Sequence, residues 1–210
     1  MPLPIPRKIN LGSGKDFRPD YLNIDIEDYW SPDIVADVSG DFPSGGRAWY
    51  ATERFGELEI AHGAFDEIVS NDVLEHVRDL PRTMTNCLNL LRTGGVFDIV
   101  VPYDLSHSAW QDPTHVRAFN ERSWLYYTDW FWYLRWRTHR FVLRRLDFAP
   151  SDLGQQLLSG GQAQELVIRT PRAIESMLVR LEKVELSEQD RKELSKFMPA
   201  GRRAASQGQL

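Results

Sequence analysis

The sequence predicts an α/β fold: a mainly parallel sheet with helices on both faces and an antiparallel edge from the C-terminal part. Three observations predict it. Residues 8–11, Lys-Ile-Asn-Leu, form an apolar run that enters a Gly-Ser-Gly turn, and a second run over 21–26 delivers Asp25. Strand-like and helix-like segments then alternate as far as Val101, the order that builds a parallel sheet. Beyond residue 138, two more strand-like runs, 139–148 and 165–170, read as an antiparallel pair that closes the sheet edge.

In chain order, 8–11 and 21–26 read as short strands, and 33–38 as a third that also ends near a carboxylate, Asp37. The stretch 39–63 is rich in Gly, Pro and polar residues and reads as loop with a short helix. Residues 65–70 form the next strand. Apolar residues at 80, 84, 87, 88 and 91 have the spacing of a helix with one buried face, over 80–92. Thr93-Gly94-Gly95 is expected to end that helix through a left-handed glycine, before a strand over 96–101 that stops at Pro102. Residues 103–119 are polar and aromatic without a period, as in a functional loop. The aromatic stretch 121–136 reads as one helix or two short ones. Residues 139–148 and 165–170 are expected to pair antiparallel at the sheet edge, 171–184 to be helical, and Ser187 to cap a last helix. These elements give one domain over 1–184, with 103–136 as an aromatic cover. Residues 185–210 add a helix and a disordered tail.

At 210 residues, with 42% hydrophobic and 26% charged residues, the chain has the bulk of one globular domain. A net charge of −5 provides no general attraction to nucleic acid, so no nucleic-acid partner is expected. The single cysteine, Cys87, rules out an intrachain disulfide and a cysteine metal cluster, and belongs on the apolar helix face. No run reaches the ~20 apolar residues of a membrane span. The proline-rich start is unlike a secretory leader, so cytoplasmic residence is the expectation.

A strand ending in Gly-x-Gly lets the backbone approach a ligand, and an acid at the next strand's tip suits a ribose diol. Asp25 follows Gly12 by thirteen positions and residue 17 is Phe. A dinucleotide fingerprint wants an acid about 20 residues on and a third glycine. A nicotinamide oxidoreductase therefore ranks last.

Taken together, Asn10-Leu11-Gly12-Ser13-Gly14, Asp25, Asp37, the segment Phe65 to Val77 with its Leu74-Glu75-His76, and Leu91-Arg92-Thr93-Gly94-Gly95 resemble a class I S-adenosylmethionine-dependent methyltransferase. The resemblance spans roughly residues 7–120 and implies a Rossmann-like fold with S-adenosylmethionine as cofactor. It implies that Asn10, Leu11, Gly12 and Gly14 lie against the methionine and ribose portion. Asp25 with Ile26 would meet the ribose, Asp37 and Val38 the adenine, and Asn71 and Asp72 the methionine end. Glu75 is read as serving the local backbone and His76 as structural. Asn10 departs from the acid that many members carry two residues before the first glycine, and the short link after Gly14 leaves no room for a full first helix.

The reaction centre is expected in the loop after the fifth strand. There Asp112-Pro113-Thr114-His115 resembles a segment of small bacterial methyltransferases associated with sugar or polysaccharide modification. His115, with an ordinary pKa near neutrality, is the candidate base or acceptor-orienting group, with Asp112 as its partner. Tyr103, His107, Trp110 and Arg117 are candidate substrate residues, Arg117 toward an anionic acceptor or toward Glu121. A metal held by His107, Asp112 and His115 fits no spacing rule, so no metal is expected. The aromatic block 124–136 is read as core and cleft wall, then as a substrate wall or homodimer contact, and last as a membrane-surface segment with Arg135, Arg137, Arg140, Arg144 and Arg145. The favoured function is O-methylation of a small molecule or glycan. A non-catalytic cofactor-binding subunit and a nucleic-acid methyltransferase are the rivals.

Overall fold

A computed structural model describes residues 5–197; the proline-rich start and the tail read as disordered lie largely outside those residues. A seven-stranded sheet runs in the order β3-β2-β1-β6-β7-β9-β8. Its strands are β1 (Lys8–Leu11), β2 (Leu22–Asp25), β3 (Ile34–Val35), β6 (Phe65–Asn71), β7 (Leu91–Pro102), β8 (His139–Pro150) and β9 (Ile174–Glu185). The pairs from β3 through β7 are parallel, and β9 is antiparallel to both β7 and β8. The predicted fold class is therefore present, antiparallel edge included.

The chain leaves β1 toward β2 and β3, then returns to place β6 on the other flank of β1. That reversal opens a crevice outside the carboxyl ends of β1 and β6, where open α/β sheets bind ligands. One face of the sheet carries the core: Ile9, Leu22, Ile24, Ile68, Phe97, Ile99, Met177 and Leu181, which the register places on the same side, are all buried.

No helix links β1 to β2. A polar network holds the replacing loop. Asn10 Nδ2 donates to the Asp16 carbonyl (2.7 Å) and to Asn23 Oδ1 (3.0 Å), and Arg18 N donates to the same Asn23 oxygen (2.9 Å). Asn23 Nδ2 returns a bond to the Arg18 carbonyl (2.9 Å).

The helix α1 (Leu80–Leu90) follows from its sequence. Asp79 caps it by accepting from Arg82 N at 3.0 Å, and Pro81 sits in the first turn, where its missing N–H costs nothing. Leu80, Met84, Cys87 and Leu88 make the buried face, each Leu or Met contributing about 1.5–3 kcal/mol. Cys87 is packed there as expected, and burial pushes its thiol pKa up.

The structure corrects five local expectations. First, the helix ends at Leu90, because Leu91 turns extended and pairs with Phe65; the left-handed Gly94 bends the strand that follows rather than capping the helix. Second, 39–63 holds an antiparallel hairpin, β4 (Arg47–Thr52) with β5 (Gly56–Ala61), closed at a left-handed Gly56. Third, 165–170 lies in a short helix, α4 (Gln164–Arg169), of which only Val167 is buried. Fourth, 174–184 is strand β9, and this, not 165–170, pairs with 139–148. Fifth, the third strand shrinks to two residues. The remaining helices are α2 (Ser108–Gln111), α3 (Asp152–Ser159) and α5 (Glu188–Phe197). Ser187 accepts from Asp190 N at 3.1 Å at the start of α5, as its sequence predicted.

The aromatic block folds as two 3-10 turns, Ser123–Tyr126 and Phe131–Leu134. Trp124, Tyr127, Phe131 and Trp136 enter the core, whereas Tyr126, Trp130 and Tyr133 cluster on the surface. Among the arginines that follow, Arg140 pairs with Asp190, Arg144 with Glu182 and Arg145 with Asp147. Those charges are therefore already matched by acids of the fold. No helix among the described residues is long and apolar enough to cross a membrane.

Candidate functional site

The Gly-Ser-Gly turn sits at the tip of β1. Its amides face β2: Gly12 N and Ser13 N donate to the Ile24 carbonyl (2.8 and 3.2 Å), and Gly14 N donates to Asp25 Oδ2 (2.7 Å). The turn therefore has no spare N–H for a ligand. It offers instead the Gly12 and Gly14 carbonyls, which no hydrogen bond among the described residues uses. Gly12 has φ +65°, and a Cβ there would meet Val73 Cγ2 at 2.3 Å. The tips of β1 and β6 are thus in close contact, and only glycine fits between them. At Gly14, also at positive φ, the nearest atom to an added Cβ is 4.0 Å away, so open space faces the chain there.

Asp25, 8% exposed, accepts Gly14 N on one oxygen and Glu27 N (2.9 Å) on the other. Each carboxylate oxygen keeps a lone pair, enough for a diol. Ile26 beside it is 61% exposed, an apolar surface at the strand tip suited to a purine or ribose face. Unused carbonyl acceptors, a carboxylate with spare lone pairs, open space at Gly14 and a bare apolar side chain fit the adenosyl and methionine parts of S-adenosylmethionine.

Other sequence candidates are placed differently. Asn10 is buried and both its N–H groups are spent within the protein, so it braces the loop and does not face the crevice. Leu11 and Val38 are core residues, and the Val38 carbonyl accepts from Asn86 Nδ2 at 2.8 Å. Asp37 is exposed and accepts from Ser39 N (2.8 Å) and Ser39 Oγ (2.6 Å), a turn that leaves its second oxygen uncommitted. Asn71 and Asp72 stand at the β6 tip, Asp72 in the left-handed region at φ 53°. A non-glycine residue there is strained, and such strain collects at functional sites.

The loop 103–119 closes on itself: Tyr103 bridges to Phe119, and Asp104 N donates to the Phe119 carbonyl (2.8 Å). Tyr103 is buried, its hydroxyl donates to Glu121, and burial pushes its phenol pKa up. It is a wall of the fold, not an acid or base. Trp110 and His107 are exposed. Arg117 donates to the Arg78 carbonyl (2.8 Å) and not to Glu121, whose carboxylate is taken by Tyr103.

The loop is pinned to the β6 tip where Val116 N donates to the Glu75 carbonyl (2.9 Å). His115 Nδ1 lies 3.0 Å from the Ala109 carbonyl, which can only accept, so Nδ1 carries the proton and Nε2 the lone pair. That Nε2 is 4.0 Å from Glu75 Oε1, with the two side chains 7% and 1% exposed. Asp112, the predicted partner of His115, is elsewhere: Oδ1 accepts from Thr114 N (2.8 Å) and Thr114 Oγ1 (2.7 Å). Thr114 Oγ1 has thereby used its hydrogen and accepts from His76 Nδ1 at 2.9 Å. The rings of His76 and His115 meet edge to face with centroids 4.6 Å apart.

Among the described residues, neither oxygen of Glu75 has a hydrogen-bond partner. Burial pushes its pKa up to about 7, while its own backbone amide and His115 pull the other way. Sequence reasoning reads Glu75 and His76 as local and structural, yet both side chains pack against His115 just past the β6 tip. Their signal was the Leu-Glu-His at the end of the fourth strand of the alternating pattern.

Two surface cavities, of about 410 and 310 Å³, are lined by other residues. Asp41, His62, Arg82 and Asn86 line the first; Phe17, Asp33 and Arg54 line the second. Neither includes Gly12, Asp25, Asp72 or His115, so the strand tips, chosen for their chemistry, are the candidate site.

A methyltransferase domain family model matches residues 13–149. A probable S-adenosylmethionine-dependent methyltransferase of Mycolicibacterium smegmatis is 27% identical over 120 residues, covering 48% of this chain and 46% of that protein. The chain thus spans about half the length of the curated relative it matches. Among solved structures, the YcgJ protein of Bacillus subtilis aligns with a TM-score of 0.51 at 17% identity, covering 87% of this chain and 93% of that one. A methyltransferase of Archaeoglobus fulgidus gives 0.53 at 13%, covering 85% and 86%. At such identities the structures speak for the fold alone, whereas the family match begins inside the glycine turn at Ser13 and runs through Asp25, the β6 tip and the loop that carries His115. The chain belongs to the methyltransferase domain family, and S-adenosylmethionine is the cofactor that this membership implies.

Proposed function

We propose that this chain methylates a hydroxyl oxygen of a small molecule or glycan bound beneath the loop 103–119, with His115 meeting the acceptor's proton. S-adenosylmethionine, when bound, supplies a methyl group activated on a sulfonium. The Gly12–Gly14 carbonyls, Asp25 and Ile26 would hold it. The chain's remaining tasks are to position an acceptor and to manage its proton. Positioning can supply about 7–11 kcal/mol of a barrier, and a base about 10²–10⁴-fold in rate.

One observation carries the reading: His115 is fixed with its Nδ1 proton on Ala109, leaving Nε2 as the lone-pair nitrogen beside the β6 tip. The net charge of −5 and the acid-paired arginines of β8 argue against a nucleic-acid acceptor.

The test is turnover of labelled S-adenosylmethionine against a panel of sugars, glycans and phenols. His115→Gln is expected to lower the rate about 10²–10⁴-fold, with S-adenosylhomocysteine affinity unchanged. An unaltered rate would dismiss His115.

A further inference from the structure

Glu75 raises a physical problem that the methyl-transfer reading does not use. A carboxylate 1% exposed, with both oxygens unpartnered, is costly unless it is protonated or meets a cation. Among the described residues no lysine or arginine bonds to it. Two imidazoles stand beside it, and one ligand atom from each of Glu75, His76 and His115 lies within 4.8 Å of the other two. Both rings are held from behind at Nδ1, His115 by the Ala109 carbonyl and His76 by Thr114, which is itself anchored on Asp112. With Nδ1 so engaged, the nitrogen that each neutral ring has left to offer a cation is Nε2. Metal-ligating histidines are oriented in this way, by a carbonyl or carboxylate relay on the far nitrogen.

We propose that Glu75, His76 and His115 bind a divalent first-row transition ion. Two imidazoles and one carboxylate are a donor set that zinc, iron(II), cobalt and manganese accept, whereas magnesium and calcium prefer all-oxygen sites. Metal–ligand bonds of about 2.1 Å in tetrahedral geometry put neighbouring donors about 3.4 Å apart. The 4.0 Å between His115 Nε2 and Glu75 Oε1 needs only a small closing of the two side chains. Direct contact between them is too long for a hydrogen bond, so the spacing suits an ion between them better than a bond.

The catalytic consequence rests on the function proposed above. An ion here would polarise an acceptor hydroxyl as a Lewis acid and lower its pKa, so that its proton would pass to bulk water as the methyl arrives, and His115 would then act as the ion's ligand instead of as the base. Binding itself rests only on the three side chains.

The experiment uses the full chain stripped with a chelator, then titrated with Co²⁺ alone. The expected result is a visible ligand-field band saturating at one equivalent, with a parallel rise in Tm on adding Zn²⁺ or Mn²⁺. Glu75→Gln and His76→Gln should each weaken Co²⁺ about ten-fold or more, and Thr114→Val, which removes the support behind His76, about 10–100-fold. S-adenosylhomocysteine affinity reports folding in every variant and should hold. No band, a band indifferent to both ligand substitutions, or a response to Mg²⁺ with none to Co²⁺ would overturn the proposal. Absent metal binding with intact S-adenosylhomocysteine binding would return His115 to direct proton transfer. Lost S-adenosylhomocysteine binding by the wild-type chain would sink the function itself.

Discussion

Gly12 answers to two constraints, a left-handed backbone and the Val73 side chain pressed against its Cα. Gly12→Ala is expected to cost at least about 2 kcal/mol, visible as a Tm fall of about 5 °C or more. Adding Val73→Ala should recover the packing share but not the backbone share. Full recovery in the double variant would show that φ carries no strain. Asp25 is tested through binding. Charge-assisted hydrogen bonds are worth about 1.5–3 kcal/mol, so Asp25→Ala should weaken S-adenosylhomocysteine about 10–100-fold by calorimetry. Asp25→Asn, which keeps one acceptor oxygen, should fall between. Unchanged affinity in Asp25→Ala would discredit the ribose contact. The residue types at the site were legible in sequence, but Glu75 was not recognisable as orphaned. That property depends on His115, forty positions later, and on a loop that folds back to the β6 tip.

Elements were legible where one pattern had no competitor. β1, β6 and α1 each show a single period bounded by a glycine turn or a cap. β9 failed that condition: Ile174, Met177, Leu178 and Leu181 satisfy helical spacing, while Met177, Val179, Leu181 and Lys183 alternate. Its place between β7 and β8 decides for the strand, a non-local fact. The hairpin β4–β5 was readable, since two alternating runs flank a short link ending in Gly56, but the Gly- and Pro-rich start of that stretch masked it. Conversely, the β-branched and apolar run Leu166-Val167-Ile168 suggested a strand in what is a turn and a half of helix. β9 also carries a buried lysine. Lys183 donates to the Leu91 carbonyl (2.6 Å), and desolvation lowers its pKa from 10.5. Between the lowered folded value and 10.5, the unfolded chain binds more protons, so stability should rise with pH as that window is crossed. Lys183→Met should flatten this rise in urea melts taken at rising pH up to 10.5. An unchanged slope would contradict a desolvated ammonium.

At the scale of the whole molecule, the sheet's reversal between β1 and β6 explains why distant segments share one crevice. Residues 12–14, 25–26, 71–76 and 112–117 follow or lie beside the carboxyl ends of neighbouring strands. The missing first helix leaves this arrangement intact because Asn10 and Asn23 brace the loop from within. The antiparallel pair β8–β9 extends the sheet on the far side, and the stacking of Trp132 on Phe197 ties α5 to the 3-10 turn Phe131–Leu134. A crystal structure grown with S-adenosylhomocysteine tests this organisation most directly. The adenosyl group is predicted against Gly14, Asp25 and Ile26, with the sulfur directed toward Asn71 and Asp72. Density in the cavity lined by Asp41, Arg82 and Asn86, or none at the strand tips at saturating ligand, would contradict it.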